Sequence, residues 1–306
     1  MSAPAPTLTV SLPTFGDPPG GDWRGVLDLA RAAEDAGVDR IVISDHVVMG
    51  RNTDKYVWGR FPLPPEGAWT EPLTVLSAMA AVTSTVRLAT GILIAPLRPA
   101  ALLAKTVATL DQLSGGRVDL GVGTGWQREE YDAEGIDFDR RGQLLTDTVA
   151  ACRALWSDTP ASFSSPSLSF DDIFCEPKPV QSPLPVWFSG VLHGRNFRRV
   201  VELGDGWIPI MGASLDDLRD GATRLRAAFT DAGRDPASLR VQGSATYVRG
   251  GDGRPDLGAT LDGVPALVDA GATDVAVNLR AFCPDLADAP RVLEAMATGF
   301  AAAVGR

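Results

Sequence analysis

The segment from Arg87 to Tyr131 is the most informative about the fold, and it reads RLATGILIAPLRPAALLAKTVATLDQLSGGRVDLGVGTGWQREEY. Its first apolar run, residues 87–95, is followed by a helical pattern over residues 99–113. A second apolar run then ends in Gly123-Thr124-Gly125. This order predicts a strand, a crossover helix and a second, parallel strand with a glycine-rich carboxyl end. Ligands of α/β proteins bind where such strand ends gather.

The same alternation of strand and helix continues along the chain of 306 residues. Eight such units predict an α/β fold of the (β/α)8 TIM-barrel class, with residues 1–306 forming a single domain. A doubly wound open sheet is the alternative, but the first strand–helix turn lacks the G-x-G-x-x-G pattern typical of that fold. The strands are predicted near Leu8–Leu12, Arg40–Ser44, Arg87–Ile94, Arg117–Gly123, Pro185–Ser189, Gly206–Ile210, Leu239–Ala245 and Thr273–Leu279. The helices are predicted near Trp23–Ala36, Glu71–Thr83, Pro99–Leu113, Arg141–Trp156, Arg195–Leu203, Leu215–Ala232, Ala259–Ala270 and Ala287–Val304.

Two segments are too long for the regular repeat. Val47–Thr70 follows the second strand and is rich in Pro, Gly, Trp and Arg, and Ser157–Leu184 precedes the fifth strand and carries several prolines. Long loops in a compact domain are often binding loops or covers of an active site. We therefore expect insertions after strand 2 and before strand 5, with the first of them over the ligand pocket.

The net charge of the chain limits the classes of partner that it is expected to bind. Lys and Arg number 28 against 38 Asp and Glu, a net charge of −10, which argues against a nucleic-acid surface and against binding to acidic lipid. The N-terminus lacks a basic start followed by an apolar core, and no apolar run approaches the roughly 20 residues needed to span a bilayer. Cys152, Cys175 and Cys283 are odd in number and scattered, which predicts buried thiols in a reducing, cytoplasmic compartment. The expected partner is a small-molecule substrate. A homodimer is also possible, in which the aromatic side chains of the loops would pack in the dimer interface.

Ser44-Asp45-His46 follows the second strand. An Asp–His pair at the carboxyl rim of a barrel can bind the polar edge of a ring or transfer a proton, so His46 is the candidate catalytic residue. The alternative is structural, with Asp45 capping the next turn and His46 packed under a loop.

Two further turns favour ligand binding. Gly121–Gly125 allows a ligand to approach the backbone closely, although glycines also end strands where no ligand binds. Ser189–Arg195 links the fifth strand to its helix, where free amides and the Arg195 side chain suit a phosphate. An ordinary turn capped by Ser189 is the alternative, and His193 is expected to assist binding rather than to catalyse.

Aromatic side chains fall in the predicted rim loops. Trp58, Trp69 and Trp126 could wall a flat ligand in the substrate pocket, although tryptophans also plug barrel ends. Arg280 follows the eighth strand and could hold an acidic group of the substrate or lie in solvent. No segment has metal-ligand spacing, and no Ser or Cys has the partner pattern of a nucleophile, so we expect neither a metal nor covalent catalysis.

Taken together, these segments resemble the bacterial luciferase-like monooxygenase superfamily, most closely its coenzyme F420-dependent oxidoreductases of actinobacterial type. The resemblance covers most of the chain, and its middle block is the most specific part. The residues that carry it are Leu12-Pro13-Thr14-Phe15, Ala33-Glu34, Gly37, Ser44-Asp45-His46-Val47-Val48, Thr90-Gly91-Ile92-Leu93, Leu103-Ala104-Lys105, Ala108-Thr109-Leu110-Asp111, Leu113-Ser114-Gly115-Gly116-Arg117, Gly121-Val122-Gly123-Thr124-Gly125-Trp126, Arg140-Arg141-Gly142, Phe174-Cys175-Glu176-Pro177-Lys178-Pro179-Val180-Gln181 and Gly204-Asp205-Gly206-Trp207.

The resemblance implies a barrel whose carboxyl rim holds the ring of coenzyme F420, with FMN as the alternative cofactor. Members of the family place a non-proline cis peptide behind this ring, and Gly91-Ile92 is the matching position. His46 would act beside the ring as a general acid or base. The resemblance assigns cofactor contacts to Asp45, Gly91, Ile92, Thr124 and Gly125 near the ring or its polyol, and to Ser189, Gly190, His193, Gly194 and Arg195 at the phosphate.

This chain departs from the deazaflavin-dependent sugar-phosphate and alcohol dehydrogenases at three positions. Trp126 stands where they carry an acidic residue, Gly50 where they carry a tryptophan, and Ala213 where they carry a lysine. These differences disfavour a sugar phosphate as substrate. The expected activity is hydride transfer between reduced deazaflavin and a small apolar or cyclic organic substrate. The alternatives are an FMN-dependent monooxygenase that uses O2 and a non-catalytic protein that binds a flavin or deazaflavin.

Overall fold

The computed structural model describes residues 5–57, 59 and 61–306. Eight parallel strands close into a barrel with helices outside it, which confirms the predicted (β/α)8 fold. The strands of the described chain are β1 Thr7–Ser11, β2 Arg40–Ile43, β3 Arg87–Thr90, β4 Leu93–Ile94, β5 Val118–Gly123, β6 Ala161–Ser164, β7 Ser169–Ile173, β8 Val186–Ser189, β9 Gly206–Ile208, β10 Arg240–Ser244, β11 Val248–Arg249, β12 Pro255–Asp256 and β13 Asp274–Asn278. The α-helices are α1 Gly25–Asp35, α2 Pro72–Ala80, α3 Ala100–Ser114, α4 Arg128–Ala133, α5 Arg141–Ser157, α6 Gly194–Leu203, α7 Leu215–Asp231, α8 Leu257–Leu261, α9 Val264–Asp269, α10 Leu279–Phe282 and α11 Ala289–Val304. Short 3-10 turns cover Pro19–Gly21, Thr53–Lys55, Ala95–Leu97, Phe138–Arg140, Pro236–Ser238 and Leu286–Asp288.

The barrel closes between its first and last strands in sequence. β1 and β13 pair in register from Thr7 opposite Asp274 to Ser11 opposite Asn278. β3 and β4 are the two halves of the third barrel strand, and both halves pair with β5. The eight barrel strands agree with the predicted ranges to within two residues at either end. The carboxyl ends of all eight therefore meet at one rim, which is where the predicted site residues fall.

One outer helix differs from the prediction. Residues 259–270 form two short helices, α8 and α9, that are separated at Asp262-Gly263. Pro265 lies in the first turn of α9, and proline lacks the N–H group that would continue a helix from α8. Two other short helices, α4 after β5 and α10 after β13, were not predicted.

The two long segments have different roles in the fold. Residues 47–70 contain the 3-10 turn Thr53–Lys55 and return to the barrel where Trp69 forms an isolated antiparallel bridge with Phe15. Residues 157–184 contain β6 and β7, which form an antiparallel hairpin outside the barrel sheet. The first segment contributes side chains to the cavity at the carboxyl rim, whereas no described residue of the second lines that cavity.

The amino end of the barrel is filled by charged side chains that neutralise one another. Arg40, the first residue of β2, pairs with Asp119 at 2.9 Å and with Asp274 at 2.8 Å, and all three side chains are at most 5 % exposed. Arg87, the first residue of β3, adds a second pair to Asp119 at 2.7 Å. The Arg40 guanidinium also lies 4.4 Å from the centre of the Trp187 ring. Buried charges persist where they are paired, so this network closes the amino end and leaves the carboxyl end for a ligand.

The three cysteines are buried free thiols, as predicted. Burial raises the pKa of the Cys152 thiol, which keeps it protonated and unreactive at neutral pH. Across the described part of the chain, no group of three or more His, Cys, Asp or Glu side chains is placed to hold a metal ion. None of the helices described has both the length and the apolar character needed to cross a bilayer.

Candidate active site

A cavity of about 870 Å³ opens at the carboxyl rim of the barrel. Its lining includes Ser11, Ser44, Gly123, Ser189 and Ser244, each at or just after the carboxyl end of a different strand. A volume of this size suits an organic cofactor together with part of a substrate. Barrel enzymes build their active sites from these strand ends and the loops that follow them.

The Gly91-Ile92 peptide bond is cis, as predicted, and Ile92 lines the cavity. Glycines on both sides of Ile92 allow the surrounding backbone to pack closely. A Cβ atom at Gly91 would lie 2.4 Å from Val42 Cγ2, and one at Gly123 would lie 3.0 Å from the Ile92 side chain. A larger residue at either position would therefore require these neighbouring side chains to shift.

Asp45 supports the same wall from behind. Its buried carboxylate accepts hydrogen bonds from Arg98 at 2.7 and 3.1 Å and from the Ile94 amide at 2.8 Å. Burial alone would lower the pKa of Arg98, but the hydrogen bonds and charges of Asp45 and Glu71 raise it above its ordinary value. Both oxygens of Asp45 are thus engaged within the protein, and its predicted contact with a cofactor stays a prediction.

His46 lies in the cavity wall just beyond the end of β2, with its imidazole 10 % exposed. Its Nδ1 atom is 3.1 Å from Oε2 of Glu130, and the other oxygen of this carboxylate accepts the Val47 amide at 2.9 Å. Glu130 is fully buried on α4 and does not itself line the cavity. Among the described residues Nε2 of His46 has no hydrogen-bond partner, so this nitrogen is available to a ligand.

Aromatic rings flank His46, and we call Tyr56, Phe61, Trp69 and Trp126 the aromatic cluster. Trp69, Phe61 and Trp126 have ring centres 4.6, 5.6 and 6.1 Å from the imidazole, all in edge-on geometry. Tyr56 packs edge-on against Phe61 and Trp126, and burial raises the pKa of its hydroxyl. Edge-to-face packing is a favoured aromatic arrangement. The wall that faces a ligand here is therefore apolar and well packed.

Three polar atoms of this wall are buried without a partner among the described residues: Ser44 Oγ, Trp69 Nε1 and Trp126 Nε1. An unmet buried donor or acceptor costs about 1–3 kcal/mol. All three side chains line the cavity. These unpaired atoms therefore mark the cavity wall as a part of the molecule that is not optimised for stability alone.

Another part of the cavity is cationic. Arg141, Arg195 and Arg199 all line it, and none of them forms an ion pair with a described carboxylate. Arg199 instead donates to Thr146 Oγ1 at 2.8 Å and to the Gly142 carbonyl. α6 begins beside them, and the first amides of a helix add partial positive charge. We call these three arginines and the start of α6 the cationic cluster.

Burial and mutual repulsion both oppose the positive charge of Arg199 in the cationic cluster. Burial, with the charge of Arg195 as the smaller cause, lowers the pKa of Arg199 to about 10. The guanidinium remains protonated at neutral pH, with no protein carboxylate beside it among the described residues. An anionic group bound next to Arg195 and Arg199 would offset both the burial and the repulsion, which is the chemistry that a phosphate supplies.

The structure brings most of the predicted site residues to one cavity. Gly194 is instead the first residue of α6 and does not line it. Arg280 does not line it either: α10 begins at Leu279, so the chain turns away from the rim, and the Arg280 guanidinium donates to the Asp17 carbonyl at 3.4 Å. Trp58 lies outside the described residues. The predicted residues that line the cavity are Asp45, His46, Trp69, Gly91, Ile92, Thr124, Gly125, Trp126, Ser189, Gly190, His193 and Arg195.

Glu130, Arg141 and Arg199 are among the residues of the site that were not predicted to belong to it. A signal for Arg199 was present, because it follows Arg195 by four residues and therefore shares its helix face. Glu130 is 84 positions from His46 in sequence, and no local pattern connects the two. Arg141 likewise reaches the cavity from the start of α5, an element distant in sequence from α6.

Comparison with known sequences shows which proteins this chain is similar to. The sequence model of the luciferase-like monooxygenase family matches residues 7–252. An uncharacterized protein of Mycobacterium tuberculosis is 33 % identical over 210 residues, which cover 67 % of this chain and 74 % of that protein. The phthiodiolone/phenolphthiodiolone dimycocerosates ketoreductase of the same species is 31 % identical over 247 residues, which cover 76 % of this chain and 63 % of the ketoreductase.

Solved structures share the barrel. An F420-dependent secondary alcohol dehydrogenase in complex with an F420–acetone adduct has a TM-score of 0.77 at 18 % identity, covering 97 % of this chain and 99 % of that chain. The oxygenating constituent of 3,6-diketocamphane monooxygenase from Pseudomonas putida, in complex with FMN, has a TM-score of 0.70 at 15 % identity, covering 97 % and 98 %. At these identities the likeness concerns the fold, and this fold holds either cofactor in those proteins.

Proposed function

This chain belongs to the luciferase-like monooxygenase family, and on that basis we propose that it is an oxidoreductase that moves a hydride between coenzyme F420 and a small apolar or cyclic organic substrate. Members of the family are oxidoreductases and monooxygenases. The observation that carries the proposal is the Nε2 atom of His46, which has no hydrogen-bond partner among the described residues and lies in one cavity with the aromatic cluster and the cationic cluster.

The donor set of the cavity fits a flavin-like cofactor with an anionic side chain. Ile92, Thr124 and Gly125 would hold the ring, and the cationic cluster would hold the phosphate. The cationic cluster suits the phosphate of either cofactor. The similarity of residues 87–131 to deazaflavin-dependent members of the family supports the deazaflavin. When bound, it supplies a ring carbon that gives or takes a hydride.

His46 supplies the proton chemistry in this proposal. Reduction of a ketone adds a hydride at carbon and a proton at oxygen, and oxidation of an alcohol is the reverse. Nε2 of His46 is free to give or take that proton. A positioned general acid or base contributes roughly 10²–10⁴-fold to the rate. The aromatic cluster keeps water from this region, which strengthens the polar contacts that remain.

The aromatic cluster supports a small apolar or cyclic substrate. Trp126 stands where related dehydrogenases carry an acid, and its neighbours Tyr56 and Phe61 are also rings. Such a wall packs well against a flat hydrocarbon framework and offers no charge to a sugar phosphate. The ketoreductase relative bears a name that denotes reduction of a ketone, which supports a carbonyl or alcohol group as the reacting centre.

FMN-dependent monooxygenation is the second candidate. The cationic cluster would also hold the phosphate of FMN, and a protein of the same fold binds FMN. A non-catalytic carrier of the cofactor is less favoured, because the open cavity and the free Nε2 atom leave room and a proton-transfer group for a substrate.

Fluorescence titration of the purified protein with coenzyme F420 and with FMN tests the proposal. We expect the deazaflavin to bind at least about tenfold more tightly, a difference of about 1.4 kcal/mol. Turnover of cyclic ketones with the reduced deazaflavin is the second measurement. Tight FMN binding without measurable F420 binding would reject the cofactor assignment, and O2-dependent oxygenation with reduced FMN would establish the second candidate.

A further inference from the structure

The position of Glu130 beside His46 indicates a role that concerns neither the cofactor nor the substrate class. It is fully buried on α4, and its Oε1 atom accepts the Val47 amide at 2.9 Å. Its Oε2 atom lies 3.1 Å from Nδ1 of His46. Because the carboxylate does not line the cavity, it can act on a substrate only through the imidazole.

The hydrogen-bonding capacities of the two groups determine where the proton of His46 lies. An ionised carboxylate accepts hydrogen bonds but cannot donate them, so Nδ1 must carry the hydrogen that points at Oε2. In a neutral imidazole the other nitrogen, Nε2, is then an acceptor. When Nε2 takes up a proton, the same carboxylate faces the positive charge that the ring acquires.

We propose that Glu130 is a positioning residue that fixes the Nδ1–H tautomer of His46 and so prepares Nε2 to exchange a proton with the substrate oxygen. This rests on the proposed function, in which His46 transfers that proton. In alcohol oxidation Nε2 takes the hydroxyl proton while the hydride moves from carbon to the oxidised deazaflavin. In ketone reduction the carbon receives the hydride from the reduced deazaflavin, the C=O electron pair moves to oxygen, and the imidazolium gives its Nε2 proton to that oxygen. Glu130 faces Nδ1 of His46 in both directions.

Glu130→Gln is the variant that isolates this role. In this variant the side-chain amide oxygen accepts the Val47 N–H, so the side-chain NH2 group faces Nδ1 of His46. A donor at that position makes Nδ1 the acceptor and moves the proton to Nε2. Such a ring cannot take a proton from the substrate at Nε2. We expect kcat to fall by roughly 10²–10⁴-fold, as when the orienting carboxylate of a catalytic triad is replaced by an amide, with KM changed by less than about threefold.

Neighbouring side chains provide a matched control, because they hold the same loop without contacting His46. Glu129 accepts a hydrogen bond from Asn52, and Gln127 holds Gly50 through hydrogen bonds of 2.8 and 3.2 Å. Glu129→Gln therefore makes the same chemical change one residue away, at a loop anchor. We expect its kcat to stay within about twofold of wild type, as for most surface substitutions.

Nitrogen-15 NMR of histidine-labelled protein measures the tautomer directly, since the chain has two histidines, His46 and His193. Spectra are recorded without cofactor at alkaline pH, where imidazoles are neutral, and His46→Ala identifies the signals. Wild type and Glu129→Gln should carry the His46 proton on Nδ1, and Glu130→Gln should carry it on Nε2. The His193 signals should be the same in wild type, Glu129→Gln and Glu130→Gln.

The outcomes distinguish this inference from the proposed function. If wild-type His46 carries its proton on Nε2, or if Glu130→Gln leaves the tautomer unchanged, the inference is wrong whichever cofactor binds. If the tautomer switches but neither cofactor binds, the proposed function fails and the effect of Glu130 on His46 stands. Should Glu130→Gln not fold, the wild-type spectrum still tests the inference, which fails if His46 carries its proton on Nε2.

Discussion

The Asp45 carboxylate and the Arg98 guanidinium are joined by two hydrogen bonds, 2.7 and 3.1 Å long, just beyond the carboxyl end of β2. Asp45 also accepts the Ile94 amide, so one buried carboxylate ties this end of β2 to β4. Arg98 reaches a second acid, Glu71, at 2.9 Å. The cavity wall that carries Ile92 thus depends on an ion pair beneath it.

Asp45→Asn should destabilise the fold. The variant leaves Arg98 facing a neutral amide in a buried site, and breaking a buried ion pair costs about 3–5 kcal/mol. Glu71→Gln is the matched variant, because it removes the other partner of Arg98, a side chain that is 46 % exposed. Exposed pairs contribute about 0.2–1 kcal/mol. Urea unfolding measures both free energies, and equal losses would show that burial does not determine the strength of these pairs.

His46→Ala should remove proton transfer and leave binding in place. We expect kcat to fall roughly 10²-fold or more, with cofactor affinity changed by less than about threefold. His193→Ala is the comparison, since His193 lines the same cavity beside α6 and should affect the Kd of the cofactor more than kcat. Steady-state kinetics and fluorescence titration separate the two effects. Near-normal turnover in His46→Ala would give His46 a packing role.

The cationic cluster should bind inorganic anions in the absence of cofactor. Sulfate should raise the Tm of wild type by a few degrees, because a ligand that binds the folded state stabilises it. Most of this shift should be lost in the double variant Arg195→Gln, Arg199→Gln. Since the pKa of Arg199 is about 10, the shift should be constant between about pH 7 and about pH 9, where the guanidinium stays charged.

Arg224→Gln controls for general effects of salt and charge on the sulfate experiment. Arg224 is paired with Asp220 at 2.9 Å, and neither residue lines the cavity. Its variant should keep the wild-type response to sulfate. Equal shifts in wild type, in this control and in the double variant would mean that sulfate acts without a site.

Glu34 should make stability depend on pH in the acidic range. Its carboxylate accepts the amides of Ser84, Thr85 and Val86. Burial alone would raise the pKa of Glu34, but these hydrogen bonds lower it from 4.5 to about 2. A carboxyl whose pKa is lowered by folding stabilises the protein above its unfolded pKa, and this contribution is lost as pH falls towards the folded pKa.

Glu34→Gln should therefore be less stable than wild type at neutral pH, and the difference should shrink as pH falls from 4.5 to about 2. Asp35→Asn, an exposed change at the next position, should keep the wild-type pH profile. Chemical denaturation at a series of pH values gives the three curves. A difference between Glu34→Gln and wild type that does not vary with pH would contradict the assignment.

Trp126→Glu tests the apolar wall of the site. A carboxylate among Tyr56, Phe61 and His46 should lower kcat/KM for cyclic ketones about tenfold or more. Trp126→Phe keeps an aromatic ring, so its kcat/KM for cyclic ketones should fall by less. Assays compare cyclic ketones, simple alcohols and sugar phosphates. Efficient oxidation of sugar phosphates by wild type would contradict the apolar pocket, and unchanged preference in both variants would make Trp126 structural.

The order of the barrel strands and the position of their carboxyl rim could be predicted from the sequence. Apolar runs and helical periodicity are local properties, so the eight strands could be located to within two residues. The glycine-rich end of β5, the Ser44-Asp45-His46 step and the Ser189–Arg195 turn each follow a strand, and parallel strands bring such ends to one side. The prediction of one continuous helix over residues 259–270 was wrong, because the helix breaks between α8 and α9 just before Pro265, which begins α9 with Val264.

Which side chains meet at that rim could not be predicted from the sequence and is seen in the folded structure. Glu130 contacts His46 across 84 positions of sequence, because barrel closure and the short helix α4 bring them together. The same closure places Arg141 with Arg195 and Arg199, while α10 turns Arg280 away from the cavity. Contacts of this kind depend on the direction of side chains after packing. Residue order and periodicity place the backbone, but the orientation of a side chain across a barrel is set by its non-local neighbours.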